Sequence, residues 1–169
     1  MEEKVPQIIL DTFKNAALAA NATTPEEKAH YWDLVIGDDI NNMVPKAWLE
    51  AGHAYFELDN YKEAMDRYSV AIKQENNIAE AYNGIGRIKT ALQDYRGAIE
   101  DFTKAINVNV RFAEAFYNRA IAYSLTGENI RAVIDYTRAI HLKPTFFERG
   151  VKKEVSLYLV CDSSVNSFT

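Results

Sequence analysis

The stretch RAIAYSLTGENIRAVIDYTRAIHLKP, Arg119–Pro144, sets alanines and aromatic residues at helical spacing, interrupts them at Gly127 and ends on a proline. This is the pattern of two amphipathic helices joined by a tight turn. It recurs over Ala81–Val110 and again over Ala47–Asn76, so the hairpin is the third copy of a repeat. Six columns carry it: Trp48, Tyr82 and Phe116; Gly52, Gly86 and Ala120; Ala64, Ala98 and Ala132; Tyr68, Phe102 and Tyr136; Ala71, Ala105 and Ala139; Ile72, Ile106 and Ile140. Successive members of every column stand 34 residues apart.

A single hairpin cannot bury its own apolar stripe, so neighbouring copies must stack. Small residues at Gly52, Gly86 and Ala120 on the first helix, facing Ala64, Ala98 and Ala132 on the second, let two backbones approach, and the aromatic columns fill the space between hairpins. The spacing predicts helices near 46–58, 61–74, 79–92, 95–108, 113–126 and 129–142. Asp94 is placed to cap the second helix of the middle copy, and Gly127 to break the third.

A 34-residue period with these columns resembles the tetratricopeptide repeat, over Pro45–Phe146. The resemblance implies an all-α chain, a right-handed superhelix (alpha-alpha solenoid) of helical hairpins, with repeats at about 45–78, 79–112 and 113–146 inside an array spanning 45–144. The copies depart from the pattern in places. Lys89 stands where Tyr55 and Tyr123 stand, Arg119 replaces an apolar residue, and only the third copy keeps the closing proline, Pro144.

Upstream, residues 1–44 read as an acidic helical hairpin. Ile9, Phe13, Ala16, Ala17 and Ala20 share a helical stripe; Thr24, Pro25 and Glu27 form a helix start, and Gly37 a stop. Downstream, 145–161 is expected to form a capping helix, with Phe147, Val151, Val155 and Tyr158 along one face, and 162–169 a flexible tail.

The net charge of −5 argues against a general nucleic-acid binder, and the basic residues are interleaved with acids instead of forming a stripe. Residues 1–44 hold the whole imbalance. One cysteine, Cys161, allows no internal disulfide; no basic start with an apolar run opens the chain, and no stretch approaches a membrane span. A cytoplasmic protein without membrane insertion is the expectation. His30, His53 and His141 are scattered, and no phosphate loop, HExxH or CxxC occurs, so neither a cofactor, a metal site nor catalytic residues are expected.

The resemblance places a partner's peptide or helix along the first helices of the repeats. Carried onto matching columns, the groove would present Leu49, His53 and Phe56, then Asn83 and Arg87, then Tyr117, Asn118 and Ile121, with Lys46, Glu80, Thr90, Glu114 and Ser124 as polar neighbours. Relatives that hold the acidic C-termini of heat-shock chaperones use a two-carboxylate clamp of Lys, Asn, Asn, Lys and Arg. Those columns here hold Leu49, His53, Gly84, Glu114 and Asn118, so tight binding of such tails is not expected. The leading expectation is a non-catalytic scaffold or adaptor for a protein partner. Two others compete: a client chaperone, since three repeats between helical ends are similar to the chaperones of type III secretion translocators, and a self-associating homo-oligomeric module.

Overall fold

The computed structural model describes residues 7–37, 45–74 and 78–147. They form α1 (Gln7–Asn21), α2 (Pro25–Gly37), α3 (Pro45–Glu57), α4 (Tyr61–Gln74), α5 (Ala79–Ala91), α6 (Tyr95–Val108), α7 (Ala113–Leu125), α8 (Asn129–Leu142) and a 3-10 turn, Pro144–Phe147. No strand occurs among the described residues. The six repeat helices begin and end within one residue of the positions expected from spacing. The linker at 38–44 lies outside the described residues, as do the tail and the expected capping helix beyond that 3-10 turn.

Each repeat hairpin closes with the same main-chain lock. The amides of Asn60, Asp94 and Glu128 donate to the carbonyls of Tyr55, Lys89 and Tyr123 at 3.0, 2.8 and 2.8 Å. Those of Asp59, Gln93 and Gly127 donate to Phe56, Thr90 and Ser124 at 3.1, 3.0 and 3.2 Å. This double closure needs a left-handed residue just past the helix. Asp59, Gln93 and Gly127 supply it, with φ of 55°, 64° and 80°. Glycine is therefore used only in the third copy. Asp94 caps α6 as expected, its Oδ1 accepting from the Gly97 amide at 3.0 Å. Thr24 Oγ1 likewise accepts from the Glu27 amide at 3.2 Å to start α2.

The chain divides into two compact units, Met1–Ile88 and Lys89–Thr169, the boundary falling within α5. In the first, Tyr68, Ala64 and Ala71 of α4 pack with Ala81 and Ile88 of α5. Val35 and Ile36 of α2, with Trp32, pack on Ala47 and Ala51 of α3. An ionic tie accompanies that apolar seam: Asp33 of α2 accepts the Tyr55 hydroxyl at 2.5 Å and lies 3.1 Å from the Arg67 guanidinium.

In the second unit, Ala120, Ala132 and Tyr136 form one cluster of α7 and α8, and Ala98, Phe102 and Ala122 join α6 to α7. Both departures from the repeat pattern here find acids. Arg119 forks onto Asp135 at 2.7 and 3.0 Å and donates to Thr103 Oγ1 at 2.9 Å. Burial opposes its charge, and the paired bonds to Asp135 outweigh that, raising its pKa. Lys89 pairs with buried Asp101 at 2.5 Å, where a second ammonium, Lys104, also bonds at 2.7 Å. Removing one partner of the Arg119–Asp135 pair costs about 3–5 kcal/mol, because the other charge stays desolvated, whereas Asp101 keeps Lys104 when Lys89 is lost.

Candidate functional site

Helical spacing lines up Lys46, Glu50, His53 and Glu57 along one stripe of α3, with Ala54 and Phe56 beside it. In the first unit this stripe forms one wall of a cavity of about 580 Å³. Ala19 and Ala20 of α1, Lys28 and Trp32 of α2, and Arg87 of α5 supply the others. That volume is within the range of about 300–1,000 Å³ typical of ligand pockets.

Charges in the wall are largely matched. Lys28 Nζ lies 3.7 Å from Glu57, and His53 Nδ1 lies 3.7 Å from Glu50. The His53 imidazole beside Glu50, helped by Lys46 and Lys28 against the opposing effect of burial, holds that carboxyl below its ordinary pKa. Arg87 lies over the Phe56 ring, 4.2 Å from its centroid. Such stacking orients the guanidinium plane while leaving its N–H edge available.

Beneath this wall runs the Tyr68 side chain, fully buried. A β-carbon on Gly52 would come within 2.6 Å of its ring, and one on Gly84 within 2.5 Å. The two glycines thus let both α3 and α5 close on the ring. His53 meets it edge-on at 5.5 Å. The Tyr68 hydroxyl has no hydrogen-bond partner among the described residues, and burial raises its pKa, with the charges of Arg87, Glu50 and Glu57 also acting on it. Three cavity-lining side chains therefore bear electrostatically on this phenol.

Of the residues expected in a groove, His53, Phe56 and Arg87 come together around the cavity. Leu49 and Phe56 are half-buried and pack against the Tyr68 cluster. Asn83 is buried, at 8% exposure. On α7 in the second unit, Tyr117 is stacked on Phe146, centroids 4.8 Å apart, and meets Tyr136 edge-on. Ile121 packs against the Ala120 cluster, and Asn118 on the same helix is half-buried. Glu114, at a clamp column, is paired with Lys143 at 2.6 Å.

Sequence reasoning placed Ala20 only on an apolar stripe of the first helix and did not single out Lys28, Trp32 or Ala19, because the N-terminal hairpin has no repeat columns to align. It also gave Gly84 no packing role, though a signal was available: its 34-residue equivalents are Glu50 and Asn118, so a glycine there is out of pattern. Among the described residues no group of three or more His, Cys, Asp or Glu side chains is placed to hold a metal ion, and no helix is long and apolar enough to cross a membrane.

No curated protein matches the chain in sequence. Its fold is similar to that of the crystal structure of MamA protein, with a TM-score of 0.72 and 21% identity over 87% of this chain and 80% of that one. It is also similar to the first and second tetratricopeptide domains of Spaghetti (RPAP3), both bound to the HSP90 peptide SRMEEVD. The first has a TM-score of 0.63 and 23% identity over 69% of this chain and 93% of that one. The second has a TM-score of 0.58 and 22% identity over 64% of this chain and 100% of that one. The tetratricopeptide repeat profile itself matches residues 45–75, 79–109 and 113–146, more than half of the chain. With three matched repeats carrying the observed hairpins, the chain belongs to the tetratricopeptide repeat family.

Proposed function

We propose that this protein is a non-catalytic scaffold or adaptor that binds a peptide or helical segment of another protein, with the cavity beside α3 as its anchoring pocket. The observation that carries this reading is the meeting of His53, Phe56 and Arg87 with Trp32 and Lys28 around one recess of about 580 Å³. The recess sets fixed charged groups beside the apolar surface of Trp32, Phe56 and three alanines, so it can both orient and bury a partner's side chains. The peptide-bound Spaghetti domains support the same use of the fold, while the clamp columns of this chain point to a different segment from theirs. Ala20, exposed at the rim, offers a clean test. Affinity capture with the intact protein and with Ala20→Trp, whose indole would fill the recess, should give a partner retained only by the former, at equal helicity by circular dichroism. Identical capture by both would reject the pocket.

A second reading, self-association, has one observation in its favour. Lys62 and Asp66, then Arg96 and Glu100, set an opposite-charge pair on the exposed side of the second helix in the first two repeats. The third repeat has Ile130 and Ile134 at the equivalent positions, 81% and 62% exposed. A second copy of the chain would cover them. Light scattering across a concentration series should then show a larger mass for the native protein than for Ile130→Lys/Ile134→Glu; one constant monomer mass for both discards the idea.

A further inference from the structure

Two of the cations around the cavity stand apart from the rest. Lys28 faces Glu57 and His53 faces Glu50, whereas Lys46 and Arg87 have no acidic group at ion-pair distance among the described residues. Against Glu50 and Glu57 the wall sets Lys28, Lys46 and Arg87, one more Lys or Arg cation than it has carboxylates. That surplus suits one carboxylate. A phosphate or a run of acids would meet Glu50, held ionised by His53, and Glu57. Arg87 is also pre-oriented, because its stacking on Phe56 at 4.2 Å fixes the fork that donates bidentately to a carboxylate. Next to these donors the wall is apolar, made by Trp32, Ala19, Ala20 and Ala54.

We propose that the cavity takes a single Asp or Glu side chain of a partner segment together with an adjacent apolar side chain. The carboxylate lies on the Arg87 fork, and the apolar group lies against Trp32 and Ala20. The proposal rests on the reading of the cavity as the partner's anchoring pocket and adds the chemistry of what enters it. It differs from the two-carboxylate clamp, whose columns here hold Leu49, His53, Gly84, Glu114 and Asn118. The N-terminal hairpin supplies part of this site instead.

The test uses two neutral-ended dipeptides, acetyl-Phe-Glu-amide and acetyl-Phe-Gln-amide, titrated into the 15N-labelled full chain. The protein has two tryptophans, and Trp32 lines the cavity while Trp48 does not, so their indole N–H signals serve as probe and reference. The glutamate probe should shift the Trp32 signal with roughly fivefold or greater preference over the glutamine probe. The preference should fall to about one in Arg87→Gln, remain partial in Arg87→Lys, which keeps the charge without the fork, and shrink with added salt. Equal response to both dipeptides, no response at Trp32, or full preference in Arg87→Gln would overturn the carboxylate assignment. Capture of a protein partner separates the two levels. A partner lost by Ala20→Trp but kept undiminished by Arg87→Gln leaves the pocket standing and removes the carboxylate, whereas a partner kept by both variants removes both.

Discussion

The ring of Tyr68 occupies the space into which a β-carbon on Gly52 would project, leaving 2.6 Å between them. Tyr68 is fully buried, and its ring lies just as close to Gly84 of α5, where a β-carbon would come within 2.5 Å, so it has little room to yield. Gly52→Ala is therefore expected to destabilise the first unit by about 1–3 kcal/mol through overpacking, although alanine is the better helix former. Urea denaturation checks this; a gain in stability would show that the ring can move. Tyr68→Phe should behave in the opposite way. It deletes a buried hydroxyl that has no partner and places at this column the residue found at Phe102, so stability should hold or rise by about 1 kcal/mol.

Gln93 and Gly127 hold the same place in successive turns, both with positive φ. The left-handed conformation costs an ordinary L-residue about 1–2 kcal/mol, whereas glycine adopts it freely at some cost in unfolded-chain entropy. Gln93→Gly should accordingly stabilise the protein by about 0.5–1 kcal/mol, raising Tm by roughly 2–4 °C per kcal/mol for a chain of this size. Differential scanning calorimetry gives the answer, and a lowered Tm would contradict the strain argument.

Asp33 ties α2 to the first repeat through Tyr55 at 2.5 Å and Arg67 at 3.1 Å. Asp33→Ala leaves Arg67 half-buried without its acid and removes the acceptor for the Tyr55 hydroxyl. A loss of about 1–3 kcal/mol is expected, concentrated in α1 and α2. Hydrogen exchange should show faster exchange there and unchanged protection in α7 and α8; uniform loss, or none, would count against a local tie.

Glu50 has a pKa depressed in the folded state, chiefly by the His53 imidazole. A depressed carboxyl binds its proton less readily when folded than when unfolded. Its contribution is thus present above its ordinary value of 4.5 and is lost as pH falls through the lower folded value. Native protein should lose stability more steeply than Glu50→Gln as pH drops from about 5 toward 3. Parallel curves of Tm against pH would refute the coupling. The effect is expected to be modest and to weaken with salt, since the carboxylate is half-exposed.

Alanine substitution at Phe56 or Tyr117 would be a poor probe of binding. Phe56 belongs to the packing around Tyr68 and supports Arg87, and Tyr117 is stacked on Phe146. Both columns are off the repeat's own core positions, so sequence spacing alone leaves their surroundings open. What covers Tyr117 is Phe146, just past α8; Phe112 and Ile78 precede it at 34-residue steps, so the position is periodic although none of the six columns includes it.

The 34-residue period was enough to determine the family, the six repeat helices and their turns. These depend on local terms: an apolar stripe of helical spacing, an aspartate cap, and a left-handed residue at a fixed distance from each helix end. Sequence also exposed Lys89 and Arg119 as exceptions without showing that Asp101 and Asp135 would meet them. Only the tertiary structure decided the cavity. Its walls come from α1, α2, α3 and Arg87, and their meeting depends on how an unrepeated hairpin seats against Ala47 and Ala51. That seating is set by long-range side-chain packing, which leaves no periodic trace in the chain.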